Sequence, residues 1–203
     1  MTIIGSVRTV RSVVVGVSVT GPADGGERPV RFDERWIVDT QLAFTTRLAA
    51  QVHELAGEVV EIGAHQGRLT VFLANTIYPA TLHVVDNWSG VTLPAEVRAR
   101  DNHAVFEGNV REATRGNVKV WKMGWRDWAV RWDKPVRFAH IDAEHSAAEV
   151  ADCIGALLPL VVPFGVLAGD DYHMAGVKEG VGKALGRVSW GDSLWWWANL
   201  NRE

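Results

Sequence analysis

The ten residues Glu58 to Gly67, EVVEIGAHQG, limit the fold more than any other part of the chain. Val59, Val60 and Ile62 form a short β-branched run of the kind that fills a buried strand. Gly63 and Gly67 bracket the loop that follows, and the apolar, helix-compatible run Leu69 to Ile77 comes next. A strand, a glycine loop and a helix start in that order make a seat for a nucleotide-like ligand. Glycine lets the ligand approach the backbone, and the free N–H groups of the helix start attract an anionic group. The loop lacks the G-x-G-x-x-G of dinucleotide folds. Instead it carries an acid, Glu61, at the strand end, which suits a cationic ligand better than a pyrophosphate. A tight turn with no ligand is the plain alternative.

The remaining strands and helices alternate. A helix is expected from about Thr40 to Ala56, with Phe44, Leu48, Val52 and Leu55 on one face and Gly57 as its C-terminal cap. Leu82 to Val85 is a second strand ending in Asp86, which lies where a ribose-binding carboxylate is expected, about 20 residues past the glycine loop. Leu93 to Val105 is expected to be helical, Val118 to Trp121 a third strand and Val136 to Asp142 a fourth. Gly165 to His173 contains the fifth. Between the last two, Ser146 and Glu149 make an S-x-x-E capping box for a helix closed by Pro159 and Pro163. A glycine-weakened helix, Val177 to Leu185, and two short strands, around Val188 and from Leu194 to Ala198, finish the chain.

This alternation predicts an α/β fold, a Rossmann-like doubly wound and mostly parallel seven-stranded sheet with helices on both faces. At 203 residues the chain is expected to be one domain, with residues 40–203 as the core. Residues 1–39 would be an extension, because Val13, Val15, Val17 and Val19 alternate with polar or small residues before the turn-rich GPADGGERP. That pattern suits a β-hairpin able to pair with the sheet or with a second copy of the chain. A net charge of -3 gives no reason to expect nucleic acid. Cys153 is the only cysteine, which rules out an intramolecular disulfide and fits a reducing cytoplasm. No apolar run reaches the length of a membrane span, and no signal-peptide pattern opens the chain.

Glu61, Asp86, Asp142 and Asp170 all fall at strand ends, the edge where open α/β sheets bind ligands. The fourth and fifth strands are expected to be neighbours, so IDAEHS and GDDYH would gather Asp142, Asp170 and Asp171. Three such carboxylates repel unless a proton or cation sits among them. An all-oxygen set without cysteine suits Mg²⁺, Mn²⁺ or Ca²⁺ rather than zinc. The plain alternative makes Asp171 a helix cap and leaves Asp170 in solvent.

The E-x-G-x-x-x-G loop resembles the first motif of class I S-adenosylmethionine methyltransferases. With I-D-x-x-H-S and G-D-D-Y-H, the chain from about Thr40 to Ala198 resembles their metal-dependent small-molecule O-methyltransferases, the catechol and macrolide-sugar type. The resemblance implies cofactor contacts from Glu61, Gly63, Ala64 and Gly67 in the first loop. It implies others from Asp86 and Asn87 after the second strand, Gly124 and Trp125 at the adenine, and Asp142. It implies Asp142, Asp170 and Asp171 as metal ligands, and His145 or Glu144 as the base. Two departures stand out: the N-terminal hairpin, and Trp125–Arg126 in place of the more frequent acid and serine after Gly124.

The expected function is methylation of a small hydroxylated acceptor, a catechol, sugar or glycoside. The donor would be S-adenosylmethionine, with a divalent ion stabilising the ionising hydroxyl and a base removing its proton. His145 is the first choice for that base, although a histidine that merely holds an Asp in place has the same sequence signature. The competing readings are a metal-independent methyltransferase and a non-catalytic S-adenosylmethionine-binding module. A nicotinamide-dependent reductase is disfavoured by the missing glycine fingerprint.

Overall fold

The computed structural model describes residue 32, residues 36–91 and residues 93–201. The hairpin expected over residues 7–32 lies outside the described residues except for Phe32.

Helix α1 (Asp39–Gln51) leads into strand β1 (Glu58–Ile62), helix α2 (Arg68–Ile77) and strand β2 (Leu82–Asp86). Helices α3 (Ala95–Arg98) and α4 (Asn102–Ala113) precede β3 (Val118–Lys122), α5 (Trp125–Ala129) and β4 (Val136–Ile141). Helix α6 (Ala147–Leu157) runs through a 3₁₀ turn into β5 (Val161–Gly169), followed by α7 (Ala175–Leu185), β6 (Ser189–Gly191) and β7 (Leu194–Ala198). The seven strands form one sheet in the order β3-β2-β1-β4-β5-β7-β6. Strands β1 to β5 pair in parallel, and β7 runs antiparallel to both β5 and β6. The order reverses between β1 and β4, which opens a crevice at their carboxyl ends.

Two apolar layers flank the sheet. One packs Val60, Ile62, Ala139, Ile141 and Leu167 against α6 and α7, with Trp128 and Trp132 filling the same layer. The other packs Val59, Phe138 and Ala168 against α1 and α2. The alternation along β1 and β4 is the two-residue period of a strand covered on both faces. Trp128 and Trp132 are thus core residues.

Four expectations change. Helix α1 ends at Gln51, six residues before Gly57. Gly57 instead precedes β1, where a Cβ would sit 3.0 Å from the Arg137 nitrogen. The expected helix Leu93–Val105 is two helices, because the Asp101 side chain accepts from Ala104 N and starts α4 afresh. Pro163 does not close a helix; it lies inside β5, where the register against β4 slips between Val136 and Phe138. Two of the three glycines of α7, Gly176 and Gly180, are a packing surface, while Gly182 faces open space. A Cβ at Gly176 would lie 2.2 Å from the His145 carbonyl oxygen, and one at Gly180 2.7 Å from that of Ala147. Their absence of side chains lets α7 press against the start of α6. Among the described residues no helix is long and apolar enough to cross a membrane.

Candidate active site

A cavity of about 580 Å³ opens at the carboxyl ends of the strands. Its floor is Glu61, Gly63 and Ala64. Asp86 and Asn87 enter from β2, and Gly124 and Trp125 from the turn after β3. Asp142, Glu144, His145, Asp170 and Asp171 come from the ends of β4 and β5. Of the residues singled out in the sequence, only Gly67 does not line it. Gly67 has φ 82 and starts α2, and a Cβ there would press on the Phe106 ring at 2.8 Å. Its requirement is packing, not ligand approach.

Gly63 also serves a purpose the motif alone does not reveal. With φ +87, its missing Cβ would lie 1.9 Å from the Asp142 carbonyl oxygen. The Gly63 amide donates to Val85 O and the Asp142 amide to Ile62 O, at 2.9 and 2.8 Å. The glycine therefore brings the ends of β1, β2 and β4 together under the cavity.

Asp86 holds the loop from the other side. Its Oδ2 accepts from Ala64 N at 2.8 Å and His65 N at 3.0 Å, and its Oδ1 accepts from Trp88 N at 2.6 Å. A carboxylate has about four acceptor sites, so one stays available to a ligand hydroxyl rather than two. Glu61 is buried, with its Oε2 accepting from Thr70 Oγ1 at 2.7 Å. Burial, reinforced by the nearby Asp142 and Asp86, pushes its carboxyl up to about 8. A cation arriving at the cavity floor offsets that penalty.

At the ends of β4 and β5 the residues brought together are Asp142, His145 and Asp171, with one ligand atom from each within 4.8 Å of the others. The expected trio of Asp142, Asp170 and Asp171 is not that group. Asp171 adopts φ 59, and its Oδ2 lies 3.0 Å from His145 Nε2, which is also 3.8 Å from Asp142 Oδ1. Asp142 and Asp171 together hold the His145 imidazole up to about 10, and His145 in turn holds Asp171 below the usual carboxylate range. Asp170 lines the same cavity but is engaged elsewhere through one oxygen: its Oδ1 accepts from Gln41 Nε2 at 3.1 Å and from the Asp171 amide at 2.7 Å. Burial first, then Asp142, raises its carboxyl to about 7.

The donor chemistry suits a hard divalent ion, since two carboxylates face each other without sulfur. An imidazole ligand would widen the choice toward borderline ions such as Fe²⁺ or Zn²⁺. The capping box at α6 is only half formed. Ser146 Oγ accepts from Glu149 N, but the Glu149 carboxylate accepts from Trp125 Nε1 at 3.2 Å and from Arg126. Arg126 also stacks on the Trp125 ring at 4.4 Å. The departure Trp125–Arg126 is thus a braced indole on the cavity wall.

Sequence reasoning missed three contributors. Gln41, buried on α1, joins Asp170 to the Asp192 carbonyl at 3.0 Å and accepts from Val38 N at 2.8 Å. The turn Asp192–Ser193, with both residues at positive φ, joins β6 to β7 and carries Tyr172 N on Ser193 O. Trp36 lines the cavity and stacks on His65 with ring centroids 4.8 Å apart. The G-D-S-L turn between strands was a legible signal; a lone Gln or Trp outside any motif gave none.

The profile of a family described as a methyltransferase domain matches residues 60–172. No curated protein matches the sequence. Among solved structures, the chain resembles CalS11, a TDP-rhamnose 3'-O-methyltransferase of calicheamicin biosynthesis. The TM-score is 0.61 and the identity 14%, over 78% of this chain and 79% of that one. It also resembles an O-methyltransferase from Bacillus cereus in complex with SAH, with TM-score 0.59 and 18% identity over 75% and 73%. TomG, an O-methyltransferase from Streptomyces achromogenes in complex with SAM, gives 0.60 and 16% over 77% and 78%. Each of these likenesses is one of fold.

Proposed function

Starting from the chain's membership of this methyltransferase domain family, established by a match over residues 60–172, we propose that it is an S-adenosylmethionine-dependent O-methyltransferase acting on a small hydroxylated molecule with the help of a divalent ion. The observation that carries the reading is the meeting of Asp142, His145 and Asp171 in the cavity that Glu61 and the glycine loop floor. The solved relatives named above are O-methyltransferases, and two of them were solved with SAM or SAH.

When bound, S-adenosylmethionine supplies a methyl group on a sulfonium, whose C–S bond breaks as the acceptor's O–C bond forms, the electron pair staying on sulfur. Glu61 faces the positive charge of that donor from the cavity floor. Asp86 keeps the loop closed and offers its remaining acceptor site to a ribose hydroxyl, beside Asn87. Gly124 leaves open space, with nothing within 4 Å of where a Cβ would stand, and Trp125 walls that space as an adenine platform. A divalent ion supplies the positive charge that favours ionisation of the acceptor hydroxyl.

Asp142 and Asp171 would hold that ion. His145 has two roles open to it, third ligand or base. As a base it must first surrender the proton that the two carboxylates hold on it, and neutralising those carboxylates does so. If His145 is a ligand, Glu144, half-buried on the same wall, takes the proton at its carboxylate. Holding the acceptor oxygen in line with the methyl group contributes the remaining acceleration.

The test is an SAH-formation assay over diols and sugars, with EDTA and then Mg²⁺ or Mn²⁺ added back. Activity lost to EDTA, restored by the ion, and lowered in Asp142→Asn and Asp171→Asn supports the reading. Turnover indifferent to EDTA and to both substitutions replaces it with a metal-independent methyltransferase.

A further inference from the structure

One wall of the cavity is aimed by residues that stand outside it. Trp125, at the start of α5, lines the cavity, whereas Arg126, Glu149 and Asp152 do not. The Trp125 indole is only partly buried. Gly124 before it has no side chain, and nothing lies within 4 Å of where its Cβ would stand. Open space on that side leaves the ring room to turn about its side-chain torsions. Its direction is set instead from α6. Glu149 Oε2 accepts from Trp125 Nε1 at 3.2 Å, and Oε1 of the same carboxylate accepts from Arg126 at 2.8 Å. Arg126 also donates to Asp152 at 2.7 Å, and its guanidinium carbon lies over the Trp125 ring, 4.4 Å from the centroid. Glu149 is held in turn by the start of α6, where its amide donates to Ser146 Oγ.

Two consequences follow from this brace. An indole has one donor and no acceptor, and Glu149 uses that donor. The ring therefore meets a ligand through its face and not through a hydrogen bond. One face carries Arg126, which is outside the cavity lining, so the other is the face left for a ligand. A purine stacks on such a face whatever its hydrogen-bonding edge. The ion pairs themselves lie at the surface and contribute little to stability; what they supply is the direction of the ring.

We propose that Glu149 is a positioning residue for the adenine of the methyl donor. It holds the Trp125 indole at the base site, with Arg126 backing the ring, and does not touch the donor itself. The proposal rests on the methyltransferase reading above and deepens it.

The experiment titrates SAH calorimetrically into the full chain and into Glu149→Ala, Glu149→Gln, Trp125→Phe and the double variant Glu149→Ala with Trp125→Phe. Glu149→Ala should weaken SAH roughly three- to tenfold, the cost of ordering one freed side chain on binding. Glutamine keeps an acceptor oxygen for Trp125 Nε1, so Glu149→Gln should stay within about twofold of the wild type. Both variants lose the acid in the first turn of α6, and Asp152 still holds Arg126 in both. A loss that came only from a weakened helix would therefore appear in both alike. Trp125→Phe removes the donor that Glu149 grips, so adding Glu149→Ala to it should cost less than about twofold more, the non-additivity of residues in contact. Wild-type SAH affinity in Glu149→Ala overturns the proposal. An equal loss in Glu149→Gln overturns it too, as does the full loss repeated in the Trp125→Phe background. In those three cases the unchanged chain binds SAH and the methyltransferase reading stands. An unchanged chain that binds neither SAH nor S-adenosylmethionine removes that reading, and the proposal with it.

Discussion

Replacing Gly63 by alanine should damage the protein through Asp142 rather than through the ligand. The new Cβ would stand 1.9 Å from the Asp142 carbonyl oxygen, 2.5 Å from its carbon and 2.9 Å from Ala143 N. Reaching even 3.0 Å requires about 1.1 Å of movement, the difference from 1.9 Å. The backbone cannot give that freely, because Gly63 N is bonded to Val85 O and Asp142 N to Ile62 O. The left-handed φ adds roughly 1–2 kcal/mol for a residue with a Cβ, and overpacking a tight site typically adds about 1–3 kcal/mol. A total of roughly 2–5 kcal/mol lowers Tm by about 4–20 °C in a chain of this size. Displacement of Asp142 should weaken metal binding as well. Gly124→Ala is the matched control. Gly124 has φ -65, and its Cβ would meet nothing within 4 Å, so Tm should hold within about 2 °C while S-adenosylmethionine affinity falls. Differential scanning fluorimetry and calorimetric titration of S-adenosylmethionine measure both quantities. A Gly63→Ala protein that melts with the wild type and binds S-adenosylmethionine normally would refute the close approach of β1 and β4.

Glu61→Gln keeps the acceptor for Thr70 but removes a buried acid whose carboxyl is raised to about 8. A raised acid costs the folded state stability as pH climbs from its unfolded value near 4.5 toward 8. The variant should therefore melt higher than wild type at pH 8, by a margin that vanishes near pH 4.5, while binding the cationic donor more weakly. His145 is raised from 6.5 to about 10. Its stabilisation is complete below about pH 6.5 and lost as pH rises through 10, so His145→Gln should flatten the metal-free melting profile over that window. Under saturating Mg²⁺, loss of turnover by roughly 10²–10⁴ in that variant marks a base, whereas loss of metal affinity with an intact rate marks a ligand. Gln41→Leu leaves Asp170 without one of its buried donors. It should lower Tm by a few degrees, about 1–3 kcal/mol for an orphaned polar group, and raise the KM of the acceptor.

The sheet was legible because its strands carry their own signal. Val59–Ile62 is β-branched but for Glu61, Val136–Ile141 is apolar but for Arg137 and His140, and both are buried in the structure. The strand-end acids were legible for the same reason, since a carboxylate after such a run has few structural uses. What the sequence hid is side-chain direction. Asp170 and Asp171 are adjacent in GDDYH, yet a positive φ at Asp171 sends one to His145 and the other to Gln41. Helix ends were hidden too, because Asp101 looks like any surface acid until its cap to Ala104 N appears. Gly180 looked like a weak point of the helix and is the place where α7 meets the Ala147 carbonyl.

The central claim, that this cavity takes S-adenosylmethionine on Glu61 and Asp86, is tested most directly by calorimetric titration of S-adenosylmethionine into the purified chain at pH 7, in two buffers of different ionisation enthalpy. The account predicts one site per chain. It predicts a proton released into the buffer as the cationic donor meets the raised Glu61, absent in Glu61→Gln, and an affinity lowered in Asp86→Ala. No binding, or binding unchanged in both variants, would contradict it.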